Sequence, residues 1–85
     1  MKNFETDNAN YYYKDYEKEE LQSIYDARKS FYKKAFVIKY NKNIYLLQSY
    51  NTIVAHVING KFESYGKYSQ TTTRHQNEFK KQFSY

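Results

Sequence analysis

Between Ala35 and Tyr65 the apolar side chains fall into four short runs, separated by polar links of two or three residues. Ala35-Phe36-Val37-Ile38-Lys39-Tyr40 is followed by the link Asn41-Lys42-Asn43. Ile44-Tyr45-Leu46-Leu47-Gln48-Ser49-Tyr50 is followed by Asn51-Thr52, and Ile53-Val54-Ala55-His56-Val57-Ile58 by Asn59-Gly60. Lys61-Phe62-Glu63-Ser64-Tyr65 is the fourth run, and Gly66 ends or bulges it. The runs are β-branched and aromatic with a period of two, which predicts strands. Parallel neighbours need crossovers of a dozen or more residues, so links this short dictate an antiparallel meander. Asn59-Gly60 is the clearest hairpin signal, because both positions accept the positive φ of a type I′ turn.

The flanks read as helical. From about Asp15, the residues Leu21, Ile24, Tyr25, Arg28, Phe31, Tyr32 and Ala35 recur at helical spacing and form one stripe. Asp15 caps its start, Glu17, Glu19 and Glu20 suit the positive end of its dipole, and Lys33 and Lys34 the negative end. After the strands, Ser69 to Thr73 offers several N-caps; Thr73 with Gln76 has capping-box spacing, and Thr72 competes with it. His75, Phe79 and Phe83 then share one face of a final helix. The expected fold is α+β, a four-stranded antiparallel meander flanked by an N-terminal and a C-terminal helix in the order α-β-β-β-β-α. Residues 1–10 are expected to be a flexible tail and 11–85 a single α+β domain. Alternation leaves a second row of large side chains, including Tyr45, Leu47, Val54 and Tyr65, that one helical layer does not cover. Cover from the other helix, a second subunit or a target is then needed, most simply in a two-fold homodimer.

At 85 residues without a cysteine, the chain has no disulfide to reinforce its small core. Absence of Cys also fits a reducing compartment. The start, Met1-Lys2-Asn3-Phe4-Glu5-Thr6-Asp7, lacks the apolar stretch of a secretory signal, and no apolar run approaches a membrane span. A soluble, cytoplasmic protein is expected. Twelve Tyr and six Phe serve either as half-buried packing or as an aromatic contact face. Charge is uneven: residues 1–20 carry a net −3 and residues 21–85 a net +8. A basic body suits phosphate backbones or acidic protein surfaces, or is a solvated exterior.

A catalytic constellation is hard to assemble. Only Asp26, Glu63 and Glu78 lie beyond residue 20, so paired carboxylates would have to recruit the N-terminal segment. His56 and His75 are the only imidazoles, and their spacing matches no metal-ligand motif. Ser49 or Ser69 with a His would make a dyad, but without a nucleophile-elbow context. Two isolated glycines make no phosphate-cradling loop. His75 reads as a structural histidine on the helix stripe. His56 reads as exposed or as the partner of a Tyr hydroxyl. No catalytic residue, metal or cofactor is therefore expected, and a binding role is.

The segment Ser49-Tyr50-Asn51-Thr52-Ile53-Val54-Ala55, then Asn59-Gly60, then Tyr68-Ser69-Gln70-Thr71-Thr72-Thr73-Arg74-His75 with Phe79 behind, resembles short uncharacterised bacteriophage proteins. Their form is S-Y-x-T-x-V-A, a hairpin, then an aromatic and S-x-T-T-x-R-H-x-x-x-F. The resemblance covers about residues 45 to 80 and carries no activity. It implies context: a phage accessory protein that binds and inhibits a host defence nuclease complex, as anti-CRISPR proteins do. The Lys-, Asn- and Tyr-rich composition suggests a low-GC Gram-positive host, in which the RNA-guided nuclease Cas9 is the first candidate target. The expected partners are a host defence protein or ribonucleoprotein in the host cytoplasm, not a membrane. The alternatives are a small basic nucleic-acid-binding protein and a structural phage protein. For a nucleic-acid partner, Lys39, Lys42, Lys61, Lys67, Arg74, Lys80 and Lys81 are the candidate phosphate contacts. Tyr65 and Tyr68 would stack on bases.

Overall fold

The computed structural model describes residues 4–27 and 30–85. The fold is α+β, a single antiparallel sheet with a long C-terminal helix. Strands β1 (Glu17–Glu20), β2 (Ala35–Asn41), β3 (Ile44–Ser49), β4 (Thr52–Ile58) and β5 (Lys61–Ser64) lie in sequence order. A short helical turn, α1 (Ala9–Tyr12), precedes β1, and α2 (Gln70–Phe83) follows β5. The four central runs form β2 to β5 and fold by the turn chemistry their links carry. Asn59 (φ 52°) and Gly60 (φ 81°) both take positive φ between β4 and β5. Glycine is favoured at position 60 because residues with a Cβ rarely adopt a φ of 81°. At the first link, the Asn41 side chain accepts from the Asn43 amide at 2.8 Å, an Asx turn.

The expected N-terminal helix is corrected. Residues 17–20 are a fifth strand paired antiparallel to β2, and residues 21–27 and 30–34 are irregular. Of the stripe, Leu21, Phe31 and Ala35 are buried, while Ile24, Tyr25 and Tyr32 face solvent; Arg28 lies outside the described residues. Long-range pairing outweighs helical periodicity here. As a strand, Glu17–Glu20 covers an edge of β2 that would otherwise stand open, and the Leu21 amide extends the ladder to Ala35 O at 2.8 Å. Tyr32 (φ 54°) and Lys33 (φ 61°) then turn the chain back into β2, with the Lys34 amide donating to Phe31 O at 3.0 Å. A helix cannot contain that pair of left-handed residues.

Both faces of the sheet are covered by the chain itself. Under α2 lie Val37, Leu47, Ala55 and Val57 with Leu21, Phe31 and Phe79; Tyr45, Phe62, Tyr68 and Phe83 border them. The opposite face packs Ile38, Leu46 and Ile53 against Phe4 and Ala9, with Tyr13, Tyr40 and Tyr65 at its margin. Residues 4–10, expected as part of a flexible tail, therefore make up this second cover. Thr6 bridges Ile53, and the Ala9 amide donates to Asn51 O at 3.0 Å. The row expected to stand uncovered is not one row: Tyr45, Leu47 and Val54 belong to the α2 side, and Tyr65 to the other. A bulge between Leu47 and Gln48 admits Val54 as the extra residue of β4. Packed in this way, these residues do not need a second subunit to cover them.

Ser69, rather than Thr72 or Thr73, caps α2, accepting from the Thr72 amide at 3.2 Å. One turn before the end of α2, the buried carboxylate of Glu78 takes four donors. The Ile24, Tyr25 and Asp26 amides reach it at 3.2, 2.9 and 2.8 Å, and Gln82 Nε2 at 2.6 Å. This carboxylate ties the irregular segment to the helix. Glu78→Ala strands those amides and should lower the unfolding free energy by about 3 kcal/mol in urea titrations. Faster hydrogen exchange at residues 24–26 should accompany it, and an unchanged denaturation midpoint would refute the assignment.

Candidate functional site

The cations expected to contact phosphate do not converge on one surface. Lys39 pairs with Glu17 and Glu19 across the β1–β2 ladder, at 3.0 and 3.5 Å, and those carboxylates hold its pKa above the usual value. Arg74 Nη1 reaches Asp26 at 3.1 Å. Lys42 and Lys61 stand at the two turns of one sheet end, where the Asn59 amide donates to Asn43 O at 2.9 Å. Lys80 and Lys81 occupy the last turn of α2 on that side, with Lys80 Nζ 5.7 Å from the Phe62 ring centre. Lys67 is exposed in the loop before α2. The two tyrosines expected to stack on bases are engaged internally. Tyr65 bonds His56, and the Tyr68 hydroxyl donates to Glu5 at 2.6 Å. Burial pushes the Tyr65 phenol up to about 12 and also raises Tyr68.

A different group does come together, from residues expected in the tail, at the start of the N-terminal helix and in the first strand. Phe4, Glu5, Tyr12, Tyr13, Tyr16 and Tyr40 line an open groove of about 530 Å³. Tyr16 stacks on Tyr40 with ring centres 5.3 Å apart and planes 9° from parallel, and Phe4 lies 4.9 Å from Tyr40. Tyr12 is 60% exposed and meets Tyr11, itself 69% exposed, edge-on. Burial and the neighbouring Tyr40 and Tyr16 raise the Tyr13 pKa. Glu5 is the one carboxylate among these lining residues, and it accepts from the Tyr68 hydroxyl. The run Tyr11-Tyr12-Tyr13 with Tyr16 was the available signal. It was unreadable as a site until the fold brought Tyr40 and Phe4 beside it.

Both histidines are buried in hydrogen-bond chains. The Phe4 amide donates to Tyr65 Oη at 3.0 Å, and the same hydroxyl bonds His56 Nδ1 at 2.6 Å. His56 Nε2 then faces Glu63 at 3.2 Å. Around His75, Ser69 Oγ donates to Thr72 Oγ1 (3.2 Å), which bonds Ser49 Oγ (2.9 Å), which bonds His75 Nδ1 (2.9 Å). A Ser–His contact thus exists, but Ser49 is 2% exposed and no substrate reaches its hydroxyl. Among the described residues, no three His, Cys, Asp or Glu side chains gather as metal ligands, and no helix is long and apolar enough to cross a membrane.

A second cavity of about 100 Å³ sits at the sheet end beside the first turn of α2. Its polar lining is Ser30, Lys34, Thr71, Arg74 and His75. The rings of Tyr32 and Tyr50, 68% and 50% exposed, stand at its rim, and Lys34 Nζ lies 5.8 Å from the Tyr50 ring centre. Tyr32, Lys33 and Tyr50 (φ 59°) all carry positive φ at this end, a costly arrangement for residues with a Cβ.

Burial lowers the pKa of His56 and of His75 below 6.5, in His56 against the opposing pull of Glu63 and in His75 against that of Asp26. The unfolded chain therefore binds more protons than the folded one just below pH 6.5, and stability falls as the pH drops through that window. The melting temperature should decline from pH 7 to pH 5, and His56→Gln should flatten the slope. A melting temperature independent of pH across this range would contradict it.

No curated protein and no solved structure matches the chain. A family description does match, over residues 19–85, from inside β1 to the end of α2; it includes the small cavity but not the segment that walls the tyrosine groove. The chain belongs to that family, the family of unknown function DUF8033.

Proposed function

We propose that the chain is a non-enzymatic binding protein of bacteriophage origin that inhibits a host defence nuclease complex by occupying one of its surfaces. The observation that carries the binding role is the tyrosine groove. Four tyrosines and a phenylalanine line a concave surface with Glu5, and aromatic residues of this kind dominate contact energies at protein interfaces. Buried tyrosines that merely completed a core would not leave Tyr11 and Tyr12 largely in solvent. An aromatic groove with the Glu5 carboxylate in its wall fits a basic protein segment, through cation–π contact with the rings and attraction to that carboxylate. The nucleic-acid channel of a defence nuclease is such a surface. The phage context and the nuclease target rest on the sequence resemblance, with Cas9 the first to test.

The non-catalytic reading is supported by the burial of both histidines. His56→Ala and His75→Ala should either keep inhibitory activity or lose it together with folding. A folded histidine variant with normal target binding and no activity would overturn the reading.

The groove is tested directly by the double substitution Tyr12→Ala, Tyr16→Ala. Affinity for the nuclease complex, measured by interferometry with the purified protein, should fall about tenfold or more. Both residues are exposed, so the melting temperature should stay within a few degrees. Inhibition of target cleavage should weaken in proportion. Unaltered inhibition by a folded double variant would remove the groove from the mechanism.

A further inference from the structure

The small cavity beside α2 contains hydrogen-bond donors arranged around an acceptor the chain does not supply. Ser69 bonds Thr72, Thr72 bonds Ser49 and Ser49 bonds His75 Nδ1, so the ring is held through that nitrogen. His75 is 1% exposed, and the tautomer that accepts from Ser49 at Nδ1 carries its proton on Nε2, the form that makes it a donor to the cavity. No hydrogen-bond partner for that nitrogen exists among the described residues, and His75 lines the cavity. Lys34 adds a positive charge, Ser30 and Thr71 add hydroxyls, and Arg74 adds a guanidinium of which Nη1 is shared with Asp26. Lys34 also helps to keep the imidazole neutral, against the pull of Asp26.

We propose that this cavity is an oxyanion site that holds a phosphate group of single-stranded nucleic acid, with bases lying against Tyr50 and Tyr32. The size of the cavity decides what enters it. At about 100 Å³ it has the volume of about three liquid waters, enough for the oxygens of a phosphate and too little for a nucleobase. The base stays outside, where the two exposed tyrosine rings offer stacking faces and the lysine on Tyr50 adds charge. A carboxylate from a protein would use the same donors but would have no need of the flanking rings. A ribonucleoprotein target offers both a basic protein surface for the groove and a phosphate chain for this site. The two sites are nevertheless separate and can fail separately.

The test uses the full chain and a fluorescein-labelled single-stranded oligouridylate of about eight nucleotides, followed by anisotropy. Binding should weaken with salt with a log–log slope of about −0.7 per phosphate contact. Lys34→Gln should weaken it about tenfold. Lys61→Gln removes the same charge at the other end of the sheet and should change affinity by no more than about twofold. Titration with inorganic phosphate should shift the His75 imidazole resonances saturably and leave those of His56 in place. The Tyr12→Ala, Tyr16→Ala variant should bind the oligonucleotide like the parent, so loss of groove function does not mimic loss of this site. Equal losses in the two lysine variants would reduce the binding to general electrostatics and overturn the proposal. So would a silent His75, or a glutamate-rich peptide that displaces the oligonucleotide and binds more tightly, which would make the anion a protein carboxylate.

Discussion

A sheet with apolar side chains on both faces needs two covers, and every other feature of this fold follows from how a short chain supplies them. The lower face of β2, β3 and β4 carries Ile38, Leu46 and Ile53, and the upper face Val37, Leu47 and Val57. Burial of such residues contributes about 1.5–3 kcal/mol each, which a domain this small cannot forgo. The C-terminal helix takes the upper face with Phe79, while Phe4 and Ala9 close the lower one. With both termini committed to covering, the segment between α1 and β2 is left to close the sheet edge and to complete the upper core with Leu21 and Phe31.

That division of labour explains where surface chemistry accumulates. The N-terminal cover lies on the lower face beside Tyr40, where Tyr12, Tyr13 and Tyr16 line the groove and Tyr16 stacks on Tyr40. The irregular segment is anchored to α2 by Glu78 and by the Asp26–Arg74 pair, so its last residues meet the start of the helix around the small cavity. Three left-handed residues with side chains persist there because the anchors on either side determine the path between them. Glu5 lines the groove, and Lys34 and Arg74 line the cavity, so the two concave surfaces differ in charge as well as in shape.

Polar burial is handled by chains rather than by isolated pairs. Tyr65 links Phe4, in the lower cover, to His56 in β4, and Ser49 links β3 to His75 and Thr72 in α2. Each chain fastens a cover to the sheet with directional bonds, which apolar packing alone does not provide. Gln76 does the same beside them, donating to Val54 O at 3.1 Å, a carbonyl that also accepts from the Tyr65 amide at 3.0 Å, and to Ser64 Oγ at 3.0 Å. The histidines are thereby structural elements whose protonation weakens the covers.

What the sequence determined by itself was local. The period-two runs, the Asn59-Gly60 turn and the multiply capped final helix specify β2 to β5 and α2 through interactions a few residues long. The structural role of His75 was legible for the same reason, from its place one turn before Phe79. Everything from Phe4 to Lys34 was decided by tertiary structure. Glu17–Glu20 has no apolar alternation and becomes a strand only because β2 presents an open edge and Lys39 stands opposite two of its carboxylates. Leu21 to Ala35 carries a helical stripe, but the edge ladder at Leu21 and the Glu78 carboxylate capture its amides from outside. Phe4 in a polar lead-in is indistinguishable from a tail until a sheet face exists to receive it. Both candidate sites draw on this N-terminal part, and each assembles residues more than 20 positions apart. Contacts of that range are selected by which surfaces the finished sheet leaves open, and no local pattern of residues encodes them.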